Sequence, residues 1–211
     1  MPPQRNTEYS VVDDPRWQRG SMICPLHAWG DESIRSHGLD APAYLLGASV
    51  VDSDDVEAAR EVLESLRPTN GKLHWHDLGR PERRRVGEAV EALEALHLVV
   101  VATPVDLRRE ERARAVCLER LGWELARHDV SLLTLESRAS ALVARDLRVV
   151  EALRGRRIIP KTLRVEHGDP RSEPMLWLPD QLLGMFGEAM TTGKPLSDSI
   201  TDGLETFEVR P

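Results

Sequence analysis

Two short apolar runs, CPLHAWGDES (24–33) and AYLLGASVV (43–51), are joined by IRSHGLDAP, and this opening constrains the fold more than any other feature. Gly38 and Pro42 punctuate the connection, so the runs read as the two strands of a hairpin. Helical and extended patterns then alternate along the chain. A hairpin followed by such an alternation implies an α/β fold, a mixed central β-sheet flanked by helices. The same order excludes a plain dinucleotide-binding domain, which would open with a strand, a Gly-rich loop and a helix. No GxGxxG or phosphate-loop sequence is present.

The spacing of apolar residues places the later elements. SDDVEAAREVLESL (53–66) carries Val56, Ala59, Leu63 and Leu66 on one helical face, with Ser53 and Asp54 suited to capping. KLHWHDL (72–78) reads as a brief extended piece. RPERRRVGEAVEALEAL (80–96) has Pro81 in a first helical turn and Val86, Val90, Leu93 and Leu96 in line. HLVVVATPV (97–105) is a β-branched run of the kind found in buried strands. A long helix over 109–128 aligns Ala113, Cys117, Leu121 and Leu125. SLLTLES (131–137) is a strand, and ASALVARDLRVVEAL (139–153) is a helix using Leu142, Val143, Leu147, Val150 and Leu153. RIIPKTLRVEHG (157–168) is extended, with Pro160 marking a bulge or an edge. LPDQLLGMFGEAM (178–190) is a last helix with Pro179 in its first turn. From Thr191 onward no strong periodicity remains. The organisation expected is a loose polar tail over 1–22, one domain over 23–195 and a C-terminal tail over 196–211.

With 211 residues, 41% of them hydrophobic and 30% charged, the chain suits one globular domain rather than a disordered one. A net charge of −7 excludes a polycation that grips nucleic acid by bulk charge. Basic residues are nevertheless grouped at 80–85, 107–116 and 153–157. Such runs are read first as solvated helix faces, and otherwise as patches that hold a polyanion near an acidic site. Two cysteines, Cys24 and Cys117, make no disulfide framework, and no run approaches membrane length. The expectation is a cytoplasmic protein.

Carboxylates fall where α/β proteins place their chemistry. Asp31 and Glu32 end the first strand, Glu136 ends the strand SLLTLE, and Asp180 sits in the first turn of the last helix. A carboxylate at a helix start is also a favourable dipole partner. Asp180, Gly184 and Gly187 share one helix face, at i, i+4 and i+7. Each glycine costs about 1 kcal/mol against alanine in a helix, so two on one face call for a close packing partner. Close approach of that face brings Asp180 inward, where a carboxylate needs a counter-charge. A hard divalent cation satisfies several carboxylates together; a buried arginine is the alternative.

The opening WGDES, the KLHW segment after the first helix, the acidic strand end in mid-chain and the closing PDQLLG helix resemble domain-of-unknown-function family 3800. The resemblance spans roughly residues 25–190 by element order. It implies a ribonuclease H-like fold and a metal-dependent nuclease acting on nucleic acid. The family's acidic pair falls on Asp31 and Glu32. Its Gln-x-x-Asp motif falls on WLPD, where Asp180 matches the aspartate and Trp177 stands in place of the glutamine. The middle acid is Glu136, where such enzymes more often carry aspartate. The resemblance thus implies that Asp31, Glu136 and Asp180 converge on one or two Mg²⁺ (or Mn²⁺) ions, which activate a water against a phosphodiester. Glu32 then serves as an outer or alternate ligand, since neighbours on a regular strand face opposite ways. The alternative is a catalytically inert member of the fold that works as a binding or interaction module.

Other residues carry smaller expectations. His74 and His76 lie at i, i+2 with Asp77 beside them; two histidines and a carboxylate would begin a zinc site, but no further nitrogen or sulfur ligand is near in sequence. The family's lysine-bearing segment suggests instead that Lys72 or His74 contacts phosphate at the edge of the site. VEHGDPRSEP (165–174) leads to the last helix, so His167 is a candidate proton shuttle and Glu166 a candidate ligand, against the plainer reading of a Gly-Asp-Pro turn. Asp146 is placed at the boundary of an apolar stripe.

Overall fold

Val50, Ala48, Leu46 and Tyr44 point to one side of the second strand and Val51, Leu45 and Ala43 to the other, and both sets are buried. A strand covered on both faces belongs at the centre of a sheet with helices on each side. The computed structural model describes residues 25–68 and 71–211. The expected tail over 1–22, and Cys24, lie outside the described residues.

Strands β1 (Leu26–Arg35), β2 (Ala43–Asp52) and β3 (Leu96–Ala102) form an antiparallel meander. β4 (Val130–Glu136) then pairs parallel with β1, and β5 (Arg164–Gly168) parallel with β4. The six-stranded order is β5-β4-β1-β2-β3-β6. Helices α3 (Glu110–Arg127) and α4 (Ser140–Gly155) cover one face. Helices α1 (Val56–Ser65), α2 (Arg80–Glu91) and α5 (Trp177–Thr192) cover the other. Parallel strands need crossover helices, which is why α3 and α4 precede β4 and β5.

The structure departs from the sequence reading at five places; one is the extended piece expected over 157–168, which is a strand only from Arg164, with turns before it. Residues 196–211 are no tail: α6 (Asp198–Asp202) turns the chain into β6 (Leu204–Val209), which pairs parallel with β3. That strand alternates half-buried and exposed residues at a sheet edge, a weaker hydrophobic signal than the central strands give. KLHWHDL is not extended but closes into a single 3₁₀ turn over Trp75–Asp77. α2 ends at Glu91, so Leu96, expected on its face, opens β3 instead. On α4 the buried positions are Asp146, Val150 and Leu153, while Leu147 is exposed.

Candidate active site

β1 and β4 lie side by side and parallel up to Gly30 opposite Leu135, which brings Asp31 next to Glu136. Glu136 ends β4, but β1 runs on to Arg35, so Asp31 and Glu32 lie within the strand, paired with β2, and do not end it as expected. α5 packs on β1 and β2. Gly47 of β2 and Gly184 and Gly187 of α5 explain how close it comes. A methyl at Gly47 would press on Leu183, one at Gly184 would overlap the Trp75 ring, and one at Gly187 would overlap the Arg35 guanidinium. The glycines therefore seat two side chains against α5, and this seat turns Asp180 inward.

Asp180 is 8% exposed and fully engaged. Its Oδ2 accepts from the Trp75 backbone N–H at 2.9 Å and from Gln181 Nε2 at 2.9 Å, and its Oδ1 lies 2.9 Å from His74 Nδ1. Glu136 places both oxygens on Lys72 Nζ, at 2.7 and 2.9 Å. Asp31 is half-buried between them. Burial first, then the charges of Glu136 and Asp180, push its pKa well above the usual carboxylate range, while Lys72 and His74 pull the other way. Burial tends to lower the Lys72 pKa, but its hydrogen bonds to Glu136 and the surrounding acids raise it overall. The hydrogen bond to Asp180 raises that of His74. Asp31, Glu136, Asp180, Lys72 and His74 thus form one electrostatic unit.

The loop that carries Lys72 and His74 is itself held down on α5. Trp75 donates from Nε1 to Glu188 at 3.2 Å, Arg83 pairs with the same carboxylate, and the Arg83 guanidinium lies 5.2 Å over the Trp75 ring. His76 is exposed, and its ring centroid is 6.4 Å from that of His74. The 3₁₀ turn removes the i, i+2 alignment that a zinc pair on a strand would need.

Glu32 and His167 belong to a second cluster on the α3–α4 side. Glu32 accepts from the Tyr44 hydroxyl at 2.6 Å and pairs with Arg114 and, at 3.2 Å, with Arg138. Arg114 and Asp146, 3% and 2% exposed, form a two-pronged pair at 2.9 and 2.8 Å. His167 Nε2 stands 3.1 Å from Asp146. Burial opposes ionisation of Asp146, yet the hydrogen bonds from His167 and Arg114 and the charge of Arg138 bring its pKa down to about 2. One cleft is lined by residues of both clusters, Asp31 and Glu136 together with Glu32, Arg114 and Arg138, and by Ser137. Glu166 instead accepts from Thr134 Oγ1, at 3.3 Å.

The sequence puts Arg114 in a basic run and Asp146 at the boundary of an apolar stripe, yet both are buried. A signal for both was present. Arg114 lies among Ala113, Cys117, Leu118 and Leu121 on the buried face of α3, which also carries Glu124, and Asp146 lies with Val150 and Leu153 on that of α4. A charge set at helical spacing among apolar residues implies a buried partner, without saying which. Among the other grouped arginines, Arg83 is tied to Glu188, Arg154 to Glu151 and the Leu163 carbonyl, and Arg156 to Glu119. Arg80, Arg84 and Arg85 stay exposed on α2, the helix that follows the Lys72–His74 loop.

Half-buried Asp31 with Glu136 and Asp180 makes three carboxylates, hard oxygen donors of the kind Mg²⁺ and Mn²⁺ accept. As they stand, no three His, Cys, Asp or Glu side chains form a ready ligand set among the described residues. Lys72 and His74 supply the positive charge there. The donor chemistry fits a divalent cation; Lys72 on Glu136 and His74 on Asp180 would have to give way to it.

An antiparallel meander extended by two parallel strands at its β1 edge, with helices on both faces, makes this an α/β domain built on a mixed six-stranded sheet. Solved structures similar to the chain include ribonuclease HII from Archaeoglobus fulgidus in complex with PCNA, at a TM-score of 0.49 and 12% identity over 80% of this chain and 75% of that one. They also include ribonuclease H2 from Pyrococcus horikoshii (TM-score 0.43, 15% identity, 83% and 84% covered) and Bst-RNase HIII in complex with Mn²⁺ (0.41, 12%, 86% and 61%). No family model and no curated protein matches the chain. Among the described residues no helix is long and apolar enough to cross a membrane.

Proposed function

We propose that the chain is a metal-dependent phosphodiester hydrolase acting on nucleic acid, with Asp31, Glu136 and Asp180 as the residues that hold Mg²⁺ or Mn²⁺. The observation that carries this reading is the state of Asp31: a carboxylate kept beside two others, its ionisation opposed by burial and by its neighbours. Acids gathered this way, with cations laid on two of them, concentrate at functional sites. When bound, a divalent cation would activate water and offset charge at the scissile phosphate. The chain's own residues do the rest. Gln181 and the Trp75 N–H fix Asp180, α5 holds Trp75, and exposed Arg80, Arg84 and Arg85 offer phosphate contacts beside the loop. Salt should weaken nucleic-acid binding steeply if those contacts form.

The test is Asp180→Asn. The variant should lose Mg²⁺-dependent cleavage by orders of magnitude, and the Mg²⁺-dependent rise in melting temperature of the parent should vanish with it. A parent that neither cleaves nor melts higher with Mg²⁺ would move the protein to the second reading, a catalytically inert interaction module. That reading is favoured by one observation: Lys72 and His74 already neutralise the cluster without any ion.

A further inference from the structure

Lys72 stands out among the cationic side chains of the site. Its Nζ is shared by both oxygens of Glu136, its side chain is 27% exposed, and it also feels Asp31 and Asp180. A symmetric grip on a carboxylate by a point charge is the geometry a metal ion would take from the same oxygens. We propose that Lys72 is a built-in counter-ion of the carboxylate cluster, and that Lys72 and a divalent cation are mutually exclusive partners of Glu136. The inference rests on the metal-binding reading above and adds how that site is kept intact when empty and what must move when it fills.

The physical reason is charge balance. Without Lys72, Glu136 would face Asp31 and Asp180 across a poorly solvated gap with only His74 to offset three acids. With Lys72 in place the cluster is nearly neutral, but Glu136 is occupied. A divalent cation brings two charges to the same oxygens and leaves Lys72 without its partner. Nζ can then swing outward, because the side chain is long and already partly exposed. His74 differs: it meets Asp180 through one ring nitrogen, and Asp180 keeps the Trp75 N–H and Gln181 whatever His74 does. Lys72 is therefore the exchangeable cation of Glu136, while the Trp75 N–H and Gln181 keep Asp180 in place through its other oxygen.

Two measurements on the full chain test this. In Mn²⁺ titrations followed by isothermal calorimetry, Lys72→Met should bind Mn²⁺ at least about tenfold more tightly than the parent, a factor equivalent to about 1.4 kcal/mol, while Lys72→Arg should not bind more tightly. In parallel, limited acylation of the parent read by mass spectrometry should show Lys72 becoming more reactive when Mg²⁺ is added. Lys161 and Lys194, both exposed, serve as internal controls whose reactivity should not change. Binding by the Lys72→Met variant alone is the extreme form of the expected result. Equal Mn²⁺ affinity in parent and Lys72→Met, with Lys72 acylation indifferent to Mg²⁺, would overturn the counter-ion role and leave the metal reading standing. Absence of Mn²⁺ binding in both would overturn the two together.

Discussion

Replacing Gly184 by alanine tests the contact on which the site geometry rests. In an ordinary exposed helix position the change would stabilise by about 1 kcal/mol, because alanine is the better helix former. Here the new methyl overlaps the Trp75 ring, and that ring cannot simply turn away. It is held by Nε1 on Glu188 and by the Arg83 guanidinium stacked over it, and the same residue's backbone N–H binds Asp180. Displacing Trp75 puts at risk a hydrogen bond to a buried carboxylate, worth about 1.5–3 kcal/mol, and a cation–π contact worth about 0.5–1 kcal/mol. Set against the helix gain of about 1 kcal/mol, the net loss is about 1–3 kcal/mol. Gly155, at the end of α4 with open space around it, is the control: its alanine variant should be neutral or slightly stabilised. Urea unfolding of parent and both variants in metal-free buffer reads the difference. A Gly184→Ala protein as stable as Gly155→Ala would refute the tight seat, and with it the explanation of why Asp180 faces inward.

Asp31→Asn should stabilise the metal-free protein at neutral pH. The folded-state pKa of Asp31 is raised, so the parent loses stability as pH climbs from the unfolded value near 3.8 through the folded one, and the loss is complete above it. Melting curves from pH 3 to 8 should therefore converge at the acid end and diverge towards neutrality; an asparagine variant less stable than the parent at pH 7 would contradict this. Arg114→Met should destabilise by about 3–5 kcal/mol, since Asp146 and Glu32 lose their main counter-charge in the interior. Denaturant titration should also show much of that loss recovered in the double variant Arg114→Met/Asp146→Leu, and a single variant within 1 kcal/mol of the parent would show that the pair is dispensable.

What the sequence determined by itself was whatever follows from local periodicity and composition. The opening hairpin, the strands 130–136 and 96–102, the long helix α3 and the closing helix α5 are all legible, because burial on one or both faces imprints a period of 2 or 3.6 on the apolar residues. The paired glycines of α5 signalled a close neighbour but could not name Trp75 or Arg35, which come from distant parts of the chain. β6 escaped because an edge strand needs only half a hydrophobic pattern. The 3₁₀ turn at Trp75–Asp77 escaped because its shape is set by Asp180 receiving the Trp75 N–H across more than one hundred residues. The sequence likewise supplied the acids Asp31, Glu136 and Asp180, with Glu136 at a strand end and Asp180 at a helix start, whereas Asp31 lies within β1 rather than at its end. Only the tertiary structure decided that Lys72 would lie on Glu136, His74 on Asp180, and Glu32 among the arginines of the opposite face. Charge pairing at a site is a matter of which side chains meet in space, and spacing along the chain carries no record of that.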